Sequence, residues 1–134
     1  IEFSTCYVRK IVEAVQDDEF VVVLHNCGNT GQCTDAMLQS GAAALHFGNA
    51  VDIKSVLAEC PDDIMIMGNL DPVGLFKQSS PEKVYQETYM LLENTSAYRN
   101  FVISSGCDIP PGVPVENIEA FFKALADYNG NCNV

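Results

Sequence analysis

Four short apolar runs, each followed by a segment with helical spacing, constrain this chain more than any other feature. The runs are 20–24 (FVVVL), 42–47 (AAALHF), 63–67 (DIMIM) and 101–104 (FVIS). The first is continuous and β-branched through its centre, which predicts a strand buried on both faces. Between the runs the apolar spacing changes to that of helices. Residues 34–40 end at Gly41, a helix stop. Residues 51–60 put Ile53, Val56, Leu57 and Cys60 on one side. Ser80-Pro81-Glu82 is a helix start, with a capping hydroxyl, a proline at the first position and an acid at the positive end of the dipole; Val84, Thr88, Leu91 and Leu92 continue that helix. The last helix is predicted from about 114 to 127, with an Ile118, Phe121, Phe122, Leu125 stripe and Gly130 as its stop. One more helix, 4–16, carries Val8, Ile11, Val12 and Val15 and precedes the first strand after a charged turn at 17–19.

The order is one helix, then βα four times. Short strands alternating with amphipathic helices imply parallel strands joined by right-handed crossovers. No linker, low-complexity tract or close repeat interrupts the pattern, so 1–134 reads as a single α/β domain. Two architectures satisfy it: a small open sheet with helices on both faces, or half of a (β/α)8 barrel, which needs about 250 residues when complete. A half-barrel leaves the edges of its first and last strands unpaired. It therefore calls for the other half, from its own chain or from a second copy as a homodimer.

Composition narrows the partners. The net charge of −11 without a basic stripe argues against nucleic acid and anionic membranes. No apolar run approaches the ~20 residues of a membrane span, and no secretory leader is visible at the start. The first residue is Ile, not Met, which fits an excised, processed or incompletely recorded chain. Six cysteines in a chain rich in regular apolar segments fit a reducing, cytoplasmic setting better than a disulfide framework. Cys33, Cys60 and Cys132 read as small hydrophobes or incidental residues, and Cys6 has no partner signature.

In such folds function collects at the carboxyl ends of the strands. There the sequence places His25-Asn26-Cys27, His46-Phe47-Gly48-Asn49, Gly68-Asn69-Leu70-Asp71 and Gly106-Cys107-Asp108. In an extended segment, residues i and i+2 share a face, so His25 and Cys27 converge. An imidazole and a thiolate suit Zn²⁺. Cys107 ends another strand in the same register, after a glycine that permits close approach. The three would leave a fourth tetrahedral position open, as catalytic zinc requires. His46, among apolar neighbours, reads as a hydrogen-bonded structural histidine. Asn69 and Asp71 have a plain alternative as turn caps before Pro72.

The segments LHNCGN, HFGNAVDI, GNLDPV and GCDIPPGVPVENIEAF together resemble the carboxyl-terminal half of the uroporphyrinogen decarboxylase-like superfamily, whose members are (β/α)8 barrels. The resemblance covers the chain from the first helix to Tyr128. GNLDP is shared by both main branches. The decarboxylases bind a porphyrinogen without metal and carry a Gly-His-Gly and no H-x-C; the cobamide-dependent methyltransferases of the methylcobalamin:coenzyme M type carry an H-x-C…C zinc signature. The resemblance therefore implies zinc on His25, Cys27 and Cys107, and methyl transfer from methylcobalamin, or from a methyl-cobamide on a corrinoid protein, to a thiol. It implies no catalytic side chain beyond the ligands. Asn49, Asn69 and Asp71 are expected to contact substrate, and Asp108 to orient a ligand. Two other readings stay open: a decarboxylase-like, tetrapyrrole-binding or decarboxylating relative, and a truncated, non-catalytic barrel fragment that dimerises.

Overall fold

The computed structural model describes residues 2–29 and 31–131; Cys132 lies outside them. Strands β1 (Val23–Asn26), β2 (Ala44–Phe47), β3 (Met65–Leu70) and β4 (Phe101–Ser105) form one parallel sheet in the order β1-β2-β3-β4. Helix α1 (Thr5–Val15) precedes β1. Helices α2 (Thr34–Leu38), α3 (Ile53–Glu59), α4 (Pro81–Thr95) and α5 (Val115–Asn131) follow the strands in turn. This is the expected α/β succession of four βα units after one helix.

Local chemistry sets the helix boundaries. Ser80 caps α4 by accepting the Lys83 N–H, with Pro81 at the first position. Asp52 caps α3, accepting from the Lys54 N–H and the Ser55 hydroxyl. After α2 the chain turns at Gly41, whose φ of +78° suits a residue without Cβ.

One face of the sheet carries the core. Leu45, Phe47 and Ile66 are fully buried against α1, α2 and α3 through Val12, Met37, Ile53, Val56 and Leu57. Leu70 continues the same face of β3 and packs with Phe76, Val84 and Phe121 from the α4 and α5 side. Each fully buried aliphatic or aromatic side chain contributes about 1.5–3 kcal/mol. The opposite face bears His25, His46 and Met67 in register, and on it Val23, Met65 and Val102 are 47 %, 44 % and 37 % exposed. No described helix packs on that face.

The structure differs from the sequence expectation in three elements: β3 runs Met65–Leu70, two or three residues later than the 63–67 expected, and two others change in burial. The first strand begins at Val23, not Phe20, and is not buried on both faces. Phe20 and Val21 are each 58 % exposed, and Asp17 Oδ1 draws the Glu19 and Phe20 N–H groups into a turn. Pairing with β2 begins at Val23, and β1 is an edge strand with one open face, so burial alternates. The last helix passes through Gly130 to Asn131, and Phe122 is exposed. Its buried line is Asn117, Ala120, Phe121 and Ala124, with Phe122 resting edge-on against Phe121. The buried amide of Asn117, which donates to the Phe76 and Ser79 carbonyls, fixes this rotation.

Candidate metal centre

At the carboxyl ends of the strands, on the open face, the donor atoms of His25, Cys27 and Cys107 all lie within 4.8 Å of one another. β1 supplies His25 and, one residue past its end, Cys27; the i, i+2 spacing puts both on one side. Cys107 comes from the opposite edge of the sheet, two residues beyond β4. His25 Nε2 is 2.8 Å from Cys27 Sγ, and the two sulfurs are 3.1 Å apart.

Close backbone packing brings Cys107 across. A Cβ on Gly106 would stand 2.5 Å from the Asn49 backbone nitrogen, so only glycine lets the chain after β4 lie against the loop after β2. The Gly106 N–H also donates to the Leu70 carbonyl at 2.7 Å.

The ring of His25 is oriented by β2. Its Nδ1–H donates to the His46 carbonyl at 3.2 Å, which leaves Nε2 as the basic nitrogen facing the sulfurs. The Cys107 thiol, by its hydrogen bond first, then desolvation and the charges of Cys107 and Asp108, holds the Cys27 thiol above the ordinary cysteine range. The metal-free Cys27 thiol therefore keeps its proton near neutral pH.

The donor chemistry fits zinc, a borderline-soft cation that takes imidazole and thiolate together. Zn–S near 2.3 Å and Zn–N near 2.0–2.1 Å in a tetrahedron separate sulfurs by about 3.8 Å. Here the sulfurs must spread by roughly 0.7 Å to accept an ion, a movement available to the exposed Cys27.

The chain matches the model of the uroporphyrinogen decarboxylase (URO-D) family over residues 1–128. It belongs to that family. Among similar curated proteins, the methylcobamide:CoM methyltransferase MtbA of Methanosarcina mazei is 28 % identical over 127 residues, covering 95 % of this chain and 36 % of the relative. A uroporphyrinogen decarboxylase of Serratia proteamaculans is 33 % identical over 132 residues, covering 96 % and 37 %. The chain thus spans little more than a third of the curated relatives it matches. A solved methyltransferase from Methanosarcina mazei superposes with a TM-score of 0.82 at 23 % identity, over 96 % of this chain and 36 % of its own; this likeness concerns the fold.

Three of the other expected site residues lie apart from the thiols in this URO-D chain. Asn49, Asn69 and Asp71 line a cavity of about 490 Å³ between the ends of β2 and β3 and helix α4, and none of the three metal-type donors lines it. The Asn69 amide donates to the Gly48 and Val51 carbonyls, at 3.2 and 2.6 Å. Asp71 Oδ1 accepts the Val73 and Gly74 N–H groups, both at 2.8 Å, which is the turn-capping arrangement. Asp108 is exposed, and the residue that bonds the Cys107 backbone is Ser105, whose hydroxyl donates to the Cys107 carbonyl at 2.7 Å. Sequence reasoning gave Ser105 no role and His46 only a structural one. The signal for His46 was its place on β2 directly opposite His25. The five described cysteines are free thiols, and no described helix is long and apolar enough to cross a membrane.

Proposed function

We propose that this chain carries the zinc-holding, thiol-activating part of a cobamide-dependent methyltransferase barrel. One observation supports this reading over a decarboxylase: an imidazole nitrogen and two thiol sulfurs, the thiols 80 residues apart in sequence, converge within 4.8 Å. The decarboxylase branch, by the resemblance, lacks the H-x-C formed here by His25 and Cys27. A structural histidine or buried cysteine would not need this convergence on the exposed side of the sheet.

The residues would work as follows. His25 Nε2, Cys27 Sγ and Cys107 Sγ would hold the ion, one donor short of a tetrahedron, so that a thiol from solution completes it. When bound, zinc supplies Lewis acidity that lowers the pKa of that thiol and yields a thiolate able to attack the methyl group of a methyl-corrinoid. The His46 carbonyl keeps His25 in the tautomer that presents Nε2. Cys27 and Cys107 must each give up a proton on loading, Cys27 against its raised pKa. Asn49, Asn69 and Asp71 are proposed to shape the substrate mouth through the loops they brace. Asp108 acts by its charge.

The methyl donor, methylcobalamin or a corrinoid protein, and the thiol substrate are proposed on the same footing, as is a reducing, cytoplasmic setting for the free thiols. The open sheet face and the edges of β1 and β4 are proposed to be closed by further βα units, from the same polypeptide or from a second copy. The assay is methyl transfer from methylcobalamin to coenzyme M or homocysteine by the zinc-loaded protein, followed by the corrinoid spectrum. Zinc-dependent transfer, abolished by Cys107→Ala, supports the reading. Metal-independent release of CO2 from uroporphyrinogen would replace it with the decarboxylase.

A further inference from the structure

We propose that His46 is a positioning residue that ties the two separated parts of the metal centre together. The inference rests on the proposal that His25, Cys27 and Cys107 hold an ion.

The centre has a structural difficulty. His25 and Cys27 belong to β1, and Cys107 follows β4. Those strands are the two edges of the sheet, with β2 and β3 between them, so the donors share no direct strand pairing. A tetrahedral site tolerates errors of only about 0.2 Å in its bonds. The backbone packing at Gly106 brings Cys107 close, and a side-chain link can hold the spacing across the sheet.

The His46 side chain spans it. From β2 it reaches past β3, and its Nε2–H donates to the Ser105 carbonyl on β4 at 2.8 Å. A carbonyl can only accept, so Nε2 carries the proton. The Ser104 hydroxyl oxygen lies 3.1 Å from the same nitrogen. Ser105 then continues toward the site, its own hydroxyl donating to the Cys107 carbonyl at 2.7 Å.

On its other side His46 meets His25 twice. Its carbonyl accepts the His25 Nδ1–H, and its ring lies against the His25 ring with centroids 4.6 Å apart and planes inclined by 37°. The result is a continuous path from the imidazole donor to the second thiol donor: His25, His46, Ser105, Cys107. Replacing the His46 side chain removes the ring contact and the link to Ser105 but keeps the backbone carbonyl that orients His25. The loss would therefore fall on the spacing between donors, not on the tautomer.

The experiment compares the wild-type chain with His46→Ala, His46→Gln and Ser105→Ala. Each is titrated with zinc against a chromophoric chelator, and each is loaded with Co²⁺ for absorption spectroscopy. Thermal unfolding of the metal-free forms runs in parallel. Loss of a contact that supports a ligand weakens metal affinity about 10–100-fold. That weakening is expected for His46→Ala, with altered tetrahedral Co²⁺ bands. His46→Gln keeps an N–H for Ser105 and should recover part of the affinity; Ser105→Ala should weaken binding in the same direction. Wild-type affinity and an unchanged cobalt spectrum in His46→Ala, even with lower thermal stability, would overturn the proposal. So would a glutamine variant no better than alanine. Failure of the wild-type chain to bind zinc would refute the metal-centre reading itself, an outcome separate from any difference among variants.

Discussion

Replacing Gly106 by alanine tests whether the close packing of the loops after β2 and β4 builds the site. The added methyl carbon would lie 2.5 Å from the Asn49 backbone nitrogen and 3.1 Å from the Gly48 carbonyl carbon. Real Cβ atoms essentially never come closer than 3.0 Å, so the backbone must separate by at least about 0.5 Å. Both neighbours are backbone, so no side chain can swing aside. Overpacking of this kind costs about 1–3 kcal/mol. With an unfolding entropy of about 2.1 cal/mol/K per residue, that corresponds to a Tm lower by about 4–11 °C for a chain of 134 residues. The same shift moves Cys107, the next residue, by more than the ~0.2 Å that metal bonds tolerate. Zinc affinity should then fall by about tenfold or more. Thermal unfolding followed by circular dichroism and zinc competition titrations read the two effects. Gly130→Ala is the control: nothing lies within 4 Å of its added Cβ, and it sits in the last turn of α5, where alanine adds up to about 1 kcal/mol of helix propensity. A Gly106→Ala protein with unchanged Tm and zinc affinity would refute the account of how Cys107 reaches β1.

In the metal-free chain, Cys27 should alkylate more slowly at pH 8 than an unstructured cysteine, because a raised thiol pKa leaves less thiolate at any pH below it. Cys107→Ala removes the first cause of that shift and should speed the reaction; mass spectrometry of the modified peptide reads both, and a hyper-reactive wild-type Cys27 would contradict the assigned direction. Zinc uptake must displace thiol protons, so apparent affinity should rise with pH between about 6 and 8 and the titration should release protons into a weak buffer. Phe47→Ala empties a fully buried position beneath β2 and should cost about 3–5 kcal/mol by denaturant unfolding; a loss under 1 kcal/mol would mean that Phe47 is not in the core.

Much of the fold was legible because βα alternation is written in the spacing of apolar residues. Ser80-Pro81 marks the start of α4 by chemistry that does not depend on tertiary contacts. The convergence of His25 with Cys27 follows from strand alternation alone. What the sequence hid depends on neighbours. Phe20 and Val21 have strand character, but with no partner strand beside them Asp17 holds the segment in a turn. Phe122 completes an apolar stripe on paper, yet α5 is rotated by the buried amide of Asn117, a polar residue that no periodicity rule places inside. Gly130 reads as a stop, but the helix passes through it. The link from His46 to Ser105 joins residues 59 apart and depends on strand order, so no local pattern announces it. Asn69 and Asp71 sit at strand ends as expected, but their polar atoms are largely engaged by backbone, and they line a cavity apart from the thiols.

The central claim is best tested by X-ray absorption at the zinc edge of the loaded chain, with metal content measured on the same sample. One zinc per chain, with two sulfurs near 2.3 Å and an imidazole nitrogen near 2.0–2.1 Å, is the expected result. A chain that retains no zinc, or holds it through oxygen and nitrogen without sulfur, would contradict it.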